Sequence, residues 1–186
     1  MTADLRRASP LGALADRLPR GERVTLREVA DRTLVELRTA APPPALRLPP
    51  GGRWVAEGDQ CAVWLGQGWW LLDAPAEGAA DLEPPLVGRL RDLCGVSAVE
   101  VSAGYAVLEL SGTHAPAVLA HACSIDLHPR AFGDGYAART MLAKAPVVLA
   151  RTGSAYRIWV RTSYARYLTE GLLDAATEYA TPIRAS

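Results

Sequence analysis

Three things are scarce in this chain, and each scarcity removes a class of function. Its 186 residues hold three cysteines, Cys61, Cys94 and Cys123. They are odd in number and far apart, so neither a disulfide framework nor a CxxC pair is available, and a reducing cytoplasm is the expected compartment. Charge of one sign is lacking too: Lys plus Arg and Asp plus Glu are 20 each. A neutral chain has no overall field to gather nucleic acid or an anionic membrane surface. Neutrality also lets a protein associate readily, which favours a protein partner. Long apolar runs are missing: none approaches the roughly 20 residues that span a bilayer. The opening MTADLRRASPLGALADRL has no uninterrupted apolar core of a secretory signal. A soluble, cytoplasmic protein is expected.

Motifs that carry chemistry are also lacking. Gly133-Asp134-Gly135 follows a proline-containing loop rather than a strand and opens no helix, so it fails the context of a dinucleotide loop. There is no serine nucleophile elbow, and no cysteine has a paired histidine in a known local pattern. His114, His121 and His128 recur every seven residues, which on one straight helix would share a face, with Cys123 as a fourth zinc ligand. The flanking residues break that helix, however. At most His121 and Cys123 lie on it, and an i, i+2 pair does not face one way. No catalytic residue and no metal site is expected.

What is present is the patterning of an α+β protein of one domain, long enough to bury a sizeable core. Leu11, Leu14 and Leu18 suit a short amphipathic helix ended by Pro19 and Gly21, within an N-terminal arm over 1–19. Val24 to Val29 and Thr33 to Arg38 are expected strands, the second with one buried face. Residues 42–52 hold five prolines and two glycines, so they form an extended crossover. Gln60 to Leu65 and Trp69 to Asp73 flank Gly66-Gln67-Gly68 as a hairpin. Its three tryptophans supply core or interface bulk, or alternatively a stacking surface for a flat ligand such as a pterin.

Beyond a loop over 74–85, Leu86 to Cys94 reads as a helix with Leu86, Leu90, Leu93 and Cys94 on one side. Val96 to Val101 is a strand, and Pro146 to Arg151 with Ser154 to Val160 forms a second hairpin. Tyr164 to Tyr179 closes as a helix with Tyr164, Tyr167, Leu168, Leu172 and Ala175 or Ala176 inward, capped by Thr162 or Ser163. Each half offers strands, a Gly-turn hairpin and a packing helix. The expected architecture is antiparallel sheets with packing helices in two similar lobes, about 20–101 and 102–186.

The stretch Tyr105 to Lys144 organises the chain. Tyr105 to Leu110 is a strand, Ser111-Gly112-Thr113 a break, and Pro116 an acceptable first-turn residue before a helix from Ala117 to Cys123. Pro129, Gly133 and Gly135 then force a long loop, and Tyr136 to Lys144 resumes as a strand. Leu108-Glu109-Leu110-Ser111-Gly112, Ala115, Val118-Leu119-Ala120, the run Cys123 to Gly133 and Thr140 together resemble the gamma-subunit family of heterotetrameric sarcosine oxidases. The run Cys123 to Gly133 is the most specific part, and the looser likeness extends from Ser9-Pro10-Leu11 to the last helix. That family is similar in turn to the folate-binding glycine-cleavage aminomethyltransferases, whose N-terminal region the two lobes would resemble.

The resemblance implies an accessory, structural subunit, partnered by alpha, beta and delta subunits. The complex would demethylate sarcosine oxidatively to glycine, with hydrogen peroxide and formaldehyde or 5,10-methylenetetrahydrofolate. FAD, FMN, NAD, tetrahydrofolate and zinc would sit on the other subunits. Family-motif or interface candidates are Asp126, Leu127, His128, Pro129, Arg130, Phe132 and Thr140. An Asp after the equivalent helix of the aminomethyltransferases engages folate, and Asp126 falls at the matching place; a carboxylate there could bond a pterin N–H or steer a proton. The plainer role for Asp126 is to accept backbone N–H groups in the tight loop. Two other functions stay open: a free-standing folate-binding protein of one-carbon metabolism, and the equivalent subunit of an N-methylglutamate or dimethylglycine oxidising complex.

Overall fold

Apolar alternation between glycine-marked turns builds ten strands among the described residues of the computed structural model, which are 9–44, 46–76 and 85–180, without the side chains of Pro85, Leu86 and Ala180. In chain order the strands are β1 (Thr25–Glu28), β2 (Arg32–Thr39), β3 (Trp54–Glu57), β4 (Gln60–Gly66), β5 (Trp69–Pro75), β6 (Val96–Glu100), β7 (Tyr105–Ser111), β8 (Ala137–Leu142), β9 (Ala145–Thr152) and β10 (Ala155–Arg161). Helices α1 (Pro85–Arg91), α2 (Ala115–Ala120) and α3 (Thr162–Ala180) complete the set, with a 3-10 turn at Gly12–Arg17. Every neighbouring pair of strands is antiparallel.

Two five-stranded sheets result, ordered β3-β4-β5-β2-β6 and β1-β7-β10-β9-β8. Strand β1 therefore leaves the other early strands and pairs with β7, Thr25 opposite Ser111. The sheets stack face to face over Leu34, Val63, Leu65, Leu71, Val107, Val148 and Trp159. Outside the second sheet, α2 and α3 cover Leu108, Leu110, Leu149 and Ile158 with Val118, Leu119, Leu168 and Leu172. Outside the first, α1 covers Val35, Leu37 and Trp70 with Val87 and Leu90. This is an α+β sandwich, as the patterning predicts.

Several local expectations change because of that stacking. Strand β2 is buried on both faces, not one, since α1 lies on one side and the second sheet on the other. Helix α1 ends at Arg91, so Cys94 is exposed and Val87 joins Leu90 inside; the side chain of Leu86 lies outside the described residues. On α3 the buried stripe is Ala165, Leu168, Leu172 and Ala176, while Tyr164 and Tyr167 are 42% and 50% exposed. The small Ala165 lets the helix lie close to the sheet, rotating both tyrosines to solvent. The Thr162 hydroxyl donates to Ala103 O at 2.9 Å, tying the helix start to the turn before β7. Helix α2 stops at Ala120, and Cys123 instead bridges to Leu142. Strand β3, absent from the sequence reading, forms just after the proline-rich crossover and pairs with β4.

The amino-terminal expectation is met as a 3-10 turn: Leu11, Leu14 and Leu18 are all buried, each contributing about 2 kcal/mol by the usual cost of exposing a leucine. Residues 1–8 of the arm lie outside the described residues. The hairpin of β4 and β5 turns through Gly68 at φ +65°, where a Cβ would sit 2.8 Å from Thr39 O. Only glycine fits that approach. Its tryptophans serve the fold. Trp70 is buried and donates from Nε1 to Pro49 O at 2.9 Å, anchoring the proline-rich crossover.

Candidate functional site

The loop from Cys123 to Gly133 is held by its own polar groups. Asp126 Oδ1 accepts from His128 N at 2.9 Å, and His128 Nδ1 accepts from Arg130 N at 3.2 Å. The His128 carbonyl in turn accepts from Ala131 N and Phe132 N, both at 2.8 Å. Asp126 thus does the turn-forming work that short carboxylates do in tight loops. Leu127 and Phe132, 7% and 5% exposed, point into the core under α2 and α3. Within the chain these two anchor the loop, and Asp126, His128, Pro129 and Arg130 form its solvent side. Thr140 lies apart, half-buried on β8 opposite Val147.

The three histidines do not converge. His114 and His121 both meet Tyr179 on α3, with ring centroids at 5.3 and 5.8 Å, and His121 Nε2 lies 3.0 Å from the Tyr179 hydroxyl. His128 is in the loop. Among the described residues no three His, Cys, Asp or Glu side chains are grouped as metal ligands.

The strongest electrostatic feature was not legible as a motif. Asp73 of β5 is fully buried, and Arg32 of β2 donates to it from Nε at 2.5 Å. Trp159 of β10, in the other sheet, donates from Nε1 to Asp73 Oδ2 at 2.8 Å. Arg157 stands 3.8 Å from the same oxygen and 3.3 Å from Glu109, which also receives Arg27 at 2.9 Å. Arg32 continues outward to Asp59 at 3.0 Å. Three arginines and three carboxylates therefore balance across the inter-sheet layer. Period-two counting carries the signal, since Asp73 shares a face with Trp69 and Leu71, and that face is the one the other sheet covers.

Burial, followed by the neighbouring Asp73 charge, pushes the Cys61 thiol from 9.0 up to about 12. A thiol held protonated at neutral pH is neither a nucleophile nor a ready metal ligand. A cleft of about 290 Å³ beside it is lined by Leu46, Leu48, Val55, Gln60, Leu72 and Leu90, among others. That volume is at the small end for an organic-ligand site. The arrangement of the network supplies rigidity between the sheets.

The family model for the sarcosine oxidase gamma subunit matches residues 33–178. The chain belongs to the sarcosine oxidase gamma subunit family. Its similarity to the "Sarcosine oxidase subunit gamma" of an Arthrobacter species is 38% identity over 191 residues, covering 95% of this chain and 93% of the relative. The gamma subunit of Corynebacterium strain P-1 is 45% identical over 119 residues, 63% of this chain and 57% of that one. Among solved structures, a chain of the heterotetrameric sarcosine oxidase from Corynebacterium U-96, in complex with pyrrole 2-carboxylate, superposes with TM-score 0.83 and 33% identity, covering 96% of this chain and 99% of that one. The glycine-cleavage aminomethyltransferase T of Bartonella henselae shares the fold, with TM-score 0.60, 20% identity and 88% of this chain matched to 49% of its own. The gamma-subunit likeness therefore spans both sheets and all three helices. No helix among the described residues is long and apolar enough to cross a membrane.

Proposed function

We propose that this chain is the accessory gamma subunit of a heterotetrameric oxidase complex that demethylates sarcosine to glycine, releasing hydrogen peroxide and formaldehyde or 5,10-methylenetetrahydrofolate. The observation that carries the reading is the end-to-end superposition on a chain of a heterotetrameric sarcosine oxidase. The chain's part is structural. The carboxylates of its inter-sheet network are spent within the chain: Asp73 on Arg32 and Trp159, Glu109 on Arg27 and Arg157. Flavins, dinucleotide, tetrahydrofolate and zinc are assigned to the alpha, beta and delta subunits. A free-standing folate protein is the weaker reading, because Asp126 is already engaged by the His128 N–H in its own loop.

Co-purification tests the proposal. The tagged chain, expressed with the subunits encoded beside it, should elute as a large complex with flavin absorbance and sarcosine-dependent peroxide production. A colourless chain that ignores those subunits and binds tetrahydrofolate would move the assignment to the free-standing reading. Activity with dimethylglycine or N-methylglutamate instead of sarcosine would keep the subunit role and change the substrate.

A further inference from the structure

One end of the sandwich gathers positive charge that the described residues do not neutralise. Arg38 of β2 and Arg139 of β8 come from different sheets and converge on one indole, with guanidinium carbons 4.4 and 4.8 Å from the Trp69 ring centroid. Both arginines are exposed. Neither has a carboxylate within ion-pair distance among the described residues; the further polar contact of Arg139 is to Leu65 O at 3.5 Å. Nearby, Arg161 lies 4.4 Å over the Tyr105 ring and 3.7 Å from Glu36, which accepts from the Tyr105 hydroxyl at 3.4 Å. Burial raises the Tyr105 hydroxyl above its ordinary range, and Arg161 and Arg139 both pull against that rise, which places Arg139 within reach of the same cluster. Of the three guanidiniums only that of Arg161 meets a carboxylate among the described residues, in a chain whose formal net charge is zero. An open hollow of about 520 Å³, lined by Arg38, Thr39, Ala40, Gln67 and Gly68, adjoins them.

The second observation is the free edge beside this cluster. Strand β8 is the last of its sheet. Its outer side is closed at both ends, where Ala137 N donates to Gly52 O and Ala143 N to Ala122 O, each at 3.0 Å. Backbone groups of alternate residues point the same way, so those of Arg139 and Met141 face outward; the antiparallel bridge of Cys123 with Leu142 sets Ser124 against Met141, which leaves Arg139 as the open position. Among the described residues no backbone acceptor meets the Arg139 N–H, and the neighbouring Met141 side chain is 47% exposed. An open edge position offers its backbone N–H and C=O to a passing peptide, and a guanidinium beside it takes a carboxylate in a two-pronged pair.

We infer that the Arg38–Arg139–Arg161 end of the sandwich, with the open backbone of Arg139 on β8, docks a carboxylate-bearing segment of a partner subunit. A free small anion would use the guanidiniums but leave the strand edge unused. The inference rests on the subunit reading above.

The test uses the co-expressed complex and three gamma variants: Arg38→Gln with Arg139→Gln, Arg139→Lys, and Arg166→Gln on the exposed side of α3 as control. The Gln double variant should associate about tenfold more weakly near physiological salt and lose part of the wild-type salt dependence. Arg139→Lys should retain most of the association, and the control all of it. Circular dichroism and melting of each free variant separate assembly from folding. A photo-crosslinker at Met141 should then join an acid-rich peptide of another subunit. Undiminished assembly of the double variant, or crosslinks only to neutral or basic segments, would overturn the inference while leaving the subunit role intact. Arginine-dependent binding of inorganic phosphate by the free chain, with normal assembly of the double variant, would overturn it in favour of a small-anion site. If the wild-type chain forms no complex at all, the subunit reading itself fails.

Discussion

Asp73 and Trp159 lie in different sheets and are joined by one hydrogen bond, the indole N–H of Trp159 donating to Asp73 Oδ2 at 2.8 Å. Arg32 of the same sheet takes the other oxygen of the carboxylate, and Arg157 of the second sheet stands 3.8 Å from Oδ2, so Asp73 is the point at which the two sheets share both a hydrogen bond and a charge pair. Asp73→Asn keeps the size and one acceptor but leaves Arg32 and Arg157 under-compensated. A loss of about 3–5 kcal/mol is expected in denaturant unfolding, the usual cost of breaking a buried pair from one side. Arg27→Gln, at the exposed rim of the same network, should cost under about 1 kcal/mol.

The Cys61 thiol makes stability fall at alkaline pH. Folded, it holds its proton up to about 12, against an ordinary 9.0. Between those values the unfolded chain has released a proton that the folded chain keeps, so rising pH favours unfolding, by about 1.4 kcal/mol per pH unit at most. The contribution is whole below pH 9 and is lost on the way to pH 12. Cys61→Ala should show a shallower alkaline decline than the parent, whatever its stability at pH 7. Thiol titration at pH 8 should modify the exposed Cys94 quickly and Cys61 only after unfolding.

Tyr156 is 1% exposed and its hydroxyl has no hydrogen-bond partner among the described residues. Tyr156→Phe removes a buried unsatisfied group and should stabilise by about 1 kcal/mol, raising Tm by roughly 2–4 °C for a chain of this size. A lower Tm would reveal a partner for that oxygen.

Gly112 has φ +106°, and a Cβ there would sit 2.5 Å from Arg23 O. Gly112→Ala should therefore cost more than about 2 kcal/mol, combining backbone strain with displacement of the segment around Arg23. Chemical unfolding measures it directly, with Gly88→Ala, which meets nothing within 4 Å on α1, as the mild comparison.

In the Cys123–Gly133 loop, Asp126→Asn keeps an acceptor for His128 N and should be nearly silent, whereas Asp126→Ala should cost about 1 kcal/mol. Phe132→Ala, emptying a core position, should cost about 3–5 kcal/mol. Differential melting of the three variants separates loop geometry from core packing.

The strand order of events along the chain was legible where alternation met glycine: the β4–β5 hairpin, β7, β9 and β10 fall within a residue or two of where the pattern puts them. Faces were harder. Whether β2 buries one side or two, and which stripe of α3 faces inward, depends on what lies across the layer, and no local pattern of Leu34, Val35 and Leu37 or of Tyr164 and Ala165 carries that information. The turn role of Asp126 was readable because an Asp two residues before a His-Pro is a local arrangement. The Asp73 network was not, because its members, Arg32, Asp73, Glu109 and Arg157, are brought together only by stacking two sheets. Leu127 and Phe132 stood in the run that carried the family likeness, and their place in the core shows that packing is part of what that run encodes.

The pairing of β1 with β7 also sets a timetable. Thr25 and Ser111 stand opposite one another, so a chain emerging from the ribosome presents β1 on the order of ten seconds before its partner exists. Strands β2 to β6 can close as one sheet during that interval, whereas Val24 and Leu26 must wait with their apolar sides uncovered. A nascent chain halted after β6 would thus expose two residues that the finished protein buries almost completely, and helpers of folding would find their target at its beginning.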